Sequence, residues 1–164
     1  SKQRERGNFS QFLNLDQGAN VDLFMDSSFD QVAKIKSNCL YHLGQLHEAG
    51  LGCDKDLQSA VRFYQQSTKA LENEKALSKL GDYYYSKGDK ENAMKCYERA
   101  YGLGDLAALN NIGLMQEQGY GKEGPDAKKA TRTYELAIDN GNGDAAVNLA
   151  LLLIKVSMTH INQL

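Results

Sequence analysis

From about Ser28 onward, apolar residues return every three or four positions, the spacing of one face of a helix. Within that rhythm a larger one stands out. Leu43-Gly44, Leu80-Gly81, Ile112-Gly113 and Leu149-Ala150 each put a small residue after an aliphatic one, at intervals in the thirties. A second motif follows each of the first three: Ala60, Tyr64 and Ser67; Ala93, Tyr97 and Ala100; Ala130, Tyr134 and Ala137. These positions fall at i, i+4 and i+7 and share a helix face. Each unit therefore predicts two helices. Leu40, Leu43 and His47, or Leu77, Leu80 and Tyr84, mark the first. A self-similar period of this length is the signature of a helical solenoid.

Glycine in the middle of a helix costs about 1 kcal/mol relative to alanine. Its return at positions 44, 81 and 113 predicts a packing reason: a neighbouring helix comes too close for a side chain, with Ala150 in the same slot of the last copy. Asp56, Asp89 and Asp126 stand four residues before each marker alanine, where a carboxylate caps free N–H groups and faces the positive helix end. Pro125 supports a boundary there, and Gly102-Leu103-Gly104 and Gly141-Asn142-Gly143 read as helix stops. The interval from Gly to Ala is 16 residues in the first unit, 12 in the second and 17 in the third. The units differ, then, in the loop between their two helices.

Composition narrows the function. A chain of 164 residues with 41% apolar content can build a core, and a net charge of -2 with interleaved signs lacks the basic face of a nucleic-acid binder. The basic start around Lys2, Arg4 and Arg6 is too short to change this. Cys39, Cys53 and Cys96 cannot all pair within the chain, which favours a reduced, intracellular thiol set without fixing a compartment. Asn8-Phe9-Ser10 fits a glycosylation triplet of a kind that arises often by chance. Ser1 in place of an initiating Met points to a processed piece or a fragment of a longer chain. The apolar run from Leu149 to Ile154 is too short to span a bilayer.

Candidate chemistry is weak. Gly119-Tyr120-Gly121-Lys122-Glu123-Gly124 spells a G-x-G-x-x-G, but a helix precedes it where a dinucleotide site needs a strand, so it reads as an interhelix turn. Cys39, His42, His47 and Cys53 do not converge on one face as zinc ligands must. His160 has no implied partner, and Asp139 to Asp144 lacks the spacing and distal Glu of a calcium loop. No nucleophile–base arrangement stands out. The expectation is a chain without catalysis, metal or cofactor.

Two units resemble Sel-1-like repeats. Leu43-Gly44, Gly50-x-Gly52, Asp56, Ala60 and Phe63-Tyr64 carry the likeness in the first, and Ile112-Gly113, Gly119-x-Gly121, Asp126, Ala130 and Tyr134 in the third. The shorter middle unit, with Leu80-Gly81, Tyr84, Ala93, Tyr97 and Ala100, is similar to a tetratricopeptide repeat. The likeness runs over roughly residues 36–153. Ser67 replaces a usual Ala, and Thr133 a usual aromatic. The resemblance implies an all-α fold, a right-handed superhelix of stacked antiparallel helix pairs. It divides the chain into a non-repeat segment, 1–27, and a repeat domain, 28–164. The segment, with its clusters Phe9-Phe12-Leu13 and Val21-Leu23-Phe24-Met25, is read as a cap over the first repeat or as a docking peptide. The repeat units cover about 36–72, 73–104 and 105–143, with a half-unit over 144–156 and a tail.

In the tetratricopeptide architecture the first helices line a concave groove. Carried onto this chain, the lining includes Asn38, Tyr41, Gln45 and Glu48; Lys75, Ser78, Asp82 and Tyr85; Ala107, Asn110, Leu114 and Glu117; and Asp144, Val147, Leu151 and Ile154. The set is polar early and aliphatic late, suited to a peptide or helix partner, and it has no Lys/Arg cluster for a phosphorylated tail. In the last helix Ala146, Leu149, Ala150 and Leu153 are expected to face the third unit. That leaves Val147, Leu151, Leu152 and Ile154 as an apolar surplus to be covered by the segment 157–164, a further repeat, a second copy of the chain or a partner. The function implied is a non-catalytic scaffold or adaptor; the alternative is a regulatory or substrate-docking region of a larger enzyme.

Overall fold

The computed structural model describes residues 21–120 and 124–161. Among these residues seven helices follow one another without a strand: α1 (Val21–Ala49), α2 (Leu57–Ala70), α3 (Glu74–Ser86), α4 (Lys90–Gly102), α5 (Ala108–Gln118), α6 (Ala127–Asp139) and α7 (Gly143–Ile161). α1 with α2, α3 with α4, and α5 with α6 are the helix pairs, and α7 is the first helix of a further copy. α1 already begins at Val21, so the backbone of residues 21–27 continues into the first repeat helix. Phe9, Phe12 and Leu13 lie outside the described residues, as do the side chains of Val21, Leu23, Phe24 and Met25.

The aspartates close each pair in one way. Asp56 accepts from the N–H groups of Gln58 and Ser59, Asp89 from Asn92 and Asp126 from Lys129, the bonds of an N-cap. Their own N–H groups donate to the carbonyls of His47, Tyr84 and Gln116 at 2.9, 2.9 and 2.8 Å. Each of these carbonyls sits three residues after the central glycine. Loops of different length thus return to the same anchor, and the variation in spacing leaves the helix pair unchanged. Gly50, Gly52 and Gly119 make the longer loops with positive φ, which glycine adopts without steric cost.

Three core clusters stack in series, each shared by three consecutive helices. Tyr41, Ala60, Val61, Tyr64, Ala76 and Leu80 join α1, α2 and α3. Leu77, Ala93, Met94, Tyr97, Ala100, Ala108, Ile112 and Met115 join α3, α4 and α5. Leu109, Ala130, Tyr134, Ala137, Ala145 and Leu152 join α5, α6 and α7. Stability in such an array is a sum of unit and neighbour terms.

The central glycines owe their place to a side chain. A Cβ on Gly44, Gly81 or Gly113 would lie 2.5, 2.5 and 2.6 Å from Cε1 of Tyr64, Tyr97 and Tyr134 respectively. Each ring comes from the second helix of the same unit and occupies the space that the glycine leaves. The two departures from the repeat pattern are also compensated. Ser67 is fully buried and donates to the Ser37 carbonyl at 2.8 Å, while Ser37 Oγ reaches the Ser67 and Leu71 carbonyls. Thr133 Oγ1 donates to Gln116 Oε1 at 2.7 Å. The same two positions hold His47 stacked on Phe63 in the first unit, and Tyr84 with Cys96 in the second.

The expected facing of α7 is corrected by one residue. Ala145 and Leu152 are buried against α6, with Leu149 and Val156 beside them, whereas Ala146, Ala150 and Leu153 are exposed. A first helix has two packing stripes. Ala76, Leu80 and Tyr83 of α3 face the preceding second helix, as do Ala108, Ile112 and Met115 of α5 and Ala145, Leu149 and Leu152 of α7. The stripe through the central small residue faces the second helix of its own unit, and α7 has none among the described residues. On α1 the first stripe is Cys39, Leu43 and Leu46, and it is open because no described unit precedes it.

Candidate functional site

The first helices are joined along one face by a repeated three-part contact. Tyr64 reaches through the pair and donates its hydroxyl to Glu48 Oε2 at 2.6 Å, and Glu48 Oε1 takes Lys79 Nζ of the next unit at 3.1 Å. Tyr97 donates to Asp82 Oδ1 at 2.8 Å, and Asn111 of the following helix approaches the same oxygen at 3.5 Å. Tyr134 donates to Glu117 Oε2 at 3.3 Å, and Lys155 of α7 reaches Glu117 Oε1 at 3.4 Å. Each carboxylate is held from behind by a core tyrosine and from the side by the next unit. The result is a row of fixed acceptors running across three repeats.

Electrostatics follow from that geometry. Burial, reinforced by the facing carboxylates, raises the pKa of Tyr64, Tyr97 and Tyr134 above the usual phenol range. The phenols therefore stay protonated and act as donors. Asp82 still touches solvent, yet crowding by its neighbours desolvates the carboxyl and raises its pKa. Glu48 and Asp105 add like charge, against the opposing effects of Tyr97 and Lys79.

The expected lining residues are placed in several different settings. Glu48, Asp82 and Glu117 form the acceptor row. Gln45 pairs with His42 Nδ1 at 2.9 Å within α1, while Tyr85 of α3 pairs with Gln118 of α5 at 3.0 Å and Asn110 of α5 with Asn148 Nδ2 of α7 at 2.9 Å. Lys75 is exposed and borders a cleft of about 320 Å³ with Asn38, Tyr41 and Asn73. Tyr41 offers little free surface: it is 8% exposed, its ring 5.8 Å from that of Tyr64. Leu114 is half-buried against the middle core. Val147, Leu151 and Ile154 stand open on α7 and are not joined to the polar row.

Sequence reasoning missed the residues that bridge the units. Lys79, Asn111 and Asn148 each stand two positions before the central small residue and bond back to the preceding first helix. A polar residue recurs at that position in every copy, with His42 in the first, and this was the available signal. Asn73 and Asp105 also bridge units, to Asn38 at 3.1 Å and Ser78 at 2.5 Å. The histidines proposed and rejected as zinc ligands have separate engagements: His42 with Gln45, and His47 with Phe63 and with Cys53 Sγ at 3.6 Å. Among the described residues no group of three or more His, Cys, Asp or Glu is placed to hold a metal ion, and no helix is long and apolar enough to cross a membrane.

Stacked helix pairs with a continuous core and a bridged first-helix face define an α-solenoid, a class of repeat scaffold for protein interaction. The Sel1 repeat model matches residues 37–70, 74–105 and 106–142, and the chain belongs to the Sel1-repeat family. The middle unit, whose short loop resembles a tetratricopeptide repeat, is matched by the same model as its neighbours.

The chain is 28% identical over 116 residues to the Photosystem I assembly protein Ycf3 of Prochlorococcus marinus, in strains NATL1A and NATL2A. That match covers 60% of this chain and 65% of each relative, so it spans less than two thirds of the curated relatives' length. Among solved structures, the Sel1 repeat protein from Oxalobacter formigenes superposes with a TM-score of 0.66 at 30% identity. It covers 73% of this chain and 49% of that one. The protective antigen c5321 of uropathogenic Escherichia coli superposes with a TM-score of 0.64 at 18% identity, a likeness of fold over 73% of this chain and 26% of that one.

Proposed function

We propose that the protein is a non-catalytic scaffold that holds a peptide or helix of a protein partner along the first-helix face. The carrying observation is the acceptor row of Glu48, Asp82 and Glu117, each fixed by a core tyrosine. Groups already held in place lose little rotamer freedom when a partner docks, and that lowers the cost of binding. The acceptors suit a partner that presents donors: free backbone N–H groups, amides, or Lys and Arg side chains. Gln45, Lys75, Tyr85, Asn110 and Leu114 flank the row and contribute mixed polar and apolar contact. Similarity to an assembly protein supports a role in holding other proteins.

The test is a peptide selected from a random library on the wild-type chain. Glu48→Gln with Asp82→Asn should weaken its binding at least about tenfold, the effect of losing two charged acceptors, with the helical content unchanged. Equal affinity for wild type and variant would remove the row from the recognition surface.

A further inference from the structure

On the first three units the positions three before, one after and four after the central small residue are mainly polar: Tyr41, Gln45 and Glu48; Ser78, Asp82 and Tyr85; Asn110, Leu114 and Glu117. On α7 the same positions are Val147, Leu151 and Ile154, and Met158 extends the stripe. These four side chains are 61%, 60%, 57% and 59% exposed. A solvated groove does not need an unbroken aliphatic stripe, and contiguous apolar surface of this kind marks an interface.

Two features choose the occupant. A further second helix of the α2, α4 or α6 kind would be overpacked on α7. Their tyrosine rings fill the space of a missing Cβ, so that a Cβ at Gly44, Gly81 or Gly113 would lie only 2.5–2.6 Å from the ring, and Ala150 carries that Cβ. The stripe is instead self-complementary. Its spacing, 147, 151, 154, 158, reads 4-3-4 in either direction. Laid antiparallel, Val147 meets Met158 of the other copy and Leu151 meets Ile154, twice over, which is an isologous twofold contact.

Charge permits this pairing. Asp144 and Lys155 are the only acidic or basic residues, apart from His160, between 143 and 161, and in this register Lys155 lies across from Ala150 rather than another lysine. Complete cover of the stripe and of Leu153 in both copies would bury roughly 1,000 Å² of apolar surface, the lower limit for a specific interface. Small Ala146 and Ala150 beside the stripe let the two helices approach.

We infer that the chain forms a twofold dimer through α7, with Leu151 of one copy against Ile154 of the other. The dimer uses the α7 end of the first-helix face, away from Glu48 and Asp82, so either reading can fail alone.

The experiment is light-scattering mass of the full chain across concentration, up to about 100 μM, where an interface of micromolar Kd is nearly saturated. Wild type should approach twice the monomer mass, and Leu151→Glu with Ile154→Glu should return it to monomer with helical content retained. Glu48→Gln with Asp82→Asn should leave the dimer intact. For the register, Cys39, Cys53 and Cys96 are replaced by Ser, and the Leu151→Cys and Ile154→Cys chains are mixed under oxidation. The mixed disulfide should exceed either symmetric one.

A wild-type chain that stays monomeric at the highest concentration overturns the inference and leaves α7 to a different protein. So does a dimer that survives the α7 double variant but is lost with Val32→Glu and Ile35→Glu, two exposed apolar residues of α1. Symmetric disulfides in excess would overturn the antiparallel register.

Discussion

Replacing Gly81 with alanine adds one carbon at the most crowded point of the middle repeat. The new Cβ would lie 2.5, 2.7 and 2.9 Å from Cε1, Cδ1 and Cζ of Tyr97. Carbon atoms rest about 3.5–4.0 Å apart, so the overlap is near 1 Å. The ring cannot simply turn away. It is 2% exposed, packed among Met94, Ala100 and Ile112, and its hydroxyl is bonded to Asp82. Overpacking of this degree costs about 1–3 kcal/mol. Alanine returns up to about 1 kcal/mol as the better helix former. The net loss is therefore about 0–2 kcal/mol for alanine. For leucine, whose remaining atoms have no space, we expect more than about 3 kcal/mol. At this chain length 1 kcal/mol corresponds to about 4 °C in Tm.

The decisive form of the test is a double-mutant cycle. Tyr97→Leu alone should cost about 2–4 kcal/mol through its cavity. In that background Gly81→Ala should be neutral or stabilising, a coupling of about 1–2 kcal/mol. Denaturant unfolding followed by helical circular dichroism measures all four corners. If Gly81→Ala costs the same with and without the Tyr97 ring, ring contact is not why the glycine is there.

Thr133→Ala should cost about 1–2 kcal/mol by leaving buried Gln116 short of a partner, and Gln116→His with Thr133→Phe, the first unit's stacked pair, should recover most of it in the same unfolding assay. Asp126→Ala should lose about 1 kcal/mol with its helix cap, read in the same way. The pH dependence has opposing parts. Asp56 and Asp89 are held below the usual carboxylate range, chiefly by hydrogen bonds from Ser59 and Asn92. Their contribution is present above the unfolded value of about 3.9 and lost as pH falls through the lower folded one. Asp82 is raised by the crowding that desolvates its carboxyl, so its contribution is complete below that unfolded value and lost as pH rises through the folded one. Asp82→Asn should accordingly raise Tm at neutral pH and make little difference near about pH 3; an equal shift at both would refute the desolvation argument.

Much of the fold was legible because three residue types have one physical use each. Glycine inside a helix, aspartate before one and tyrosine four residues after alanine recur in register, and each proves to be the contact its chemistry suggests. What could not be read was the depth of each contact. The glycine announced a close approach but not that a tyrosine ring makes it. Tyr41 reads as a groove residue from its register, yet α2 and α3 close over it. The facing of α7 shifted by one residue because Ala145 and Ala146, or Leu152 and Leu153, are the same in type. Only the presence of α6 on one side and nothing on the other decides between them. The acceptor row was half visible: its carboxylates sat at expected positions, but the tyrosine hydroxyls behind them lie on other helices. Such pairings across residues 48 and 64, or 117 and 134, are set by packing rather than by local pattern.

The claim that the first-helix face is the recognition surface is tested most directly by one affinity comparison. A peptide selected on the wild-type chain is titrated against Glu48→Gln with Glu117→Gln, and against Glu98→Gln with Glu135→Gln on second helices α4 and α6. The Kd should be at least about tenfold weaker for the first pair and unchanged for the second. Loss of binding in the second pair alone, or equal Kd in all three proteins, would contradict the claim.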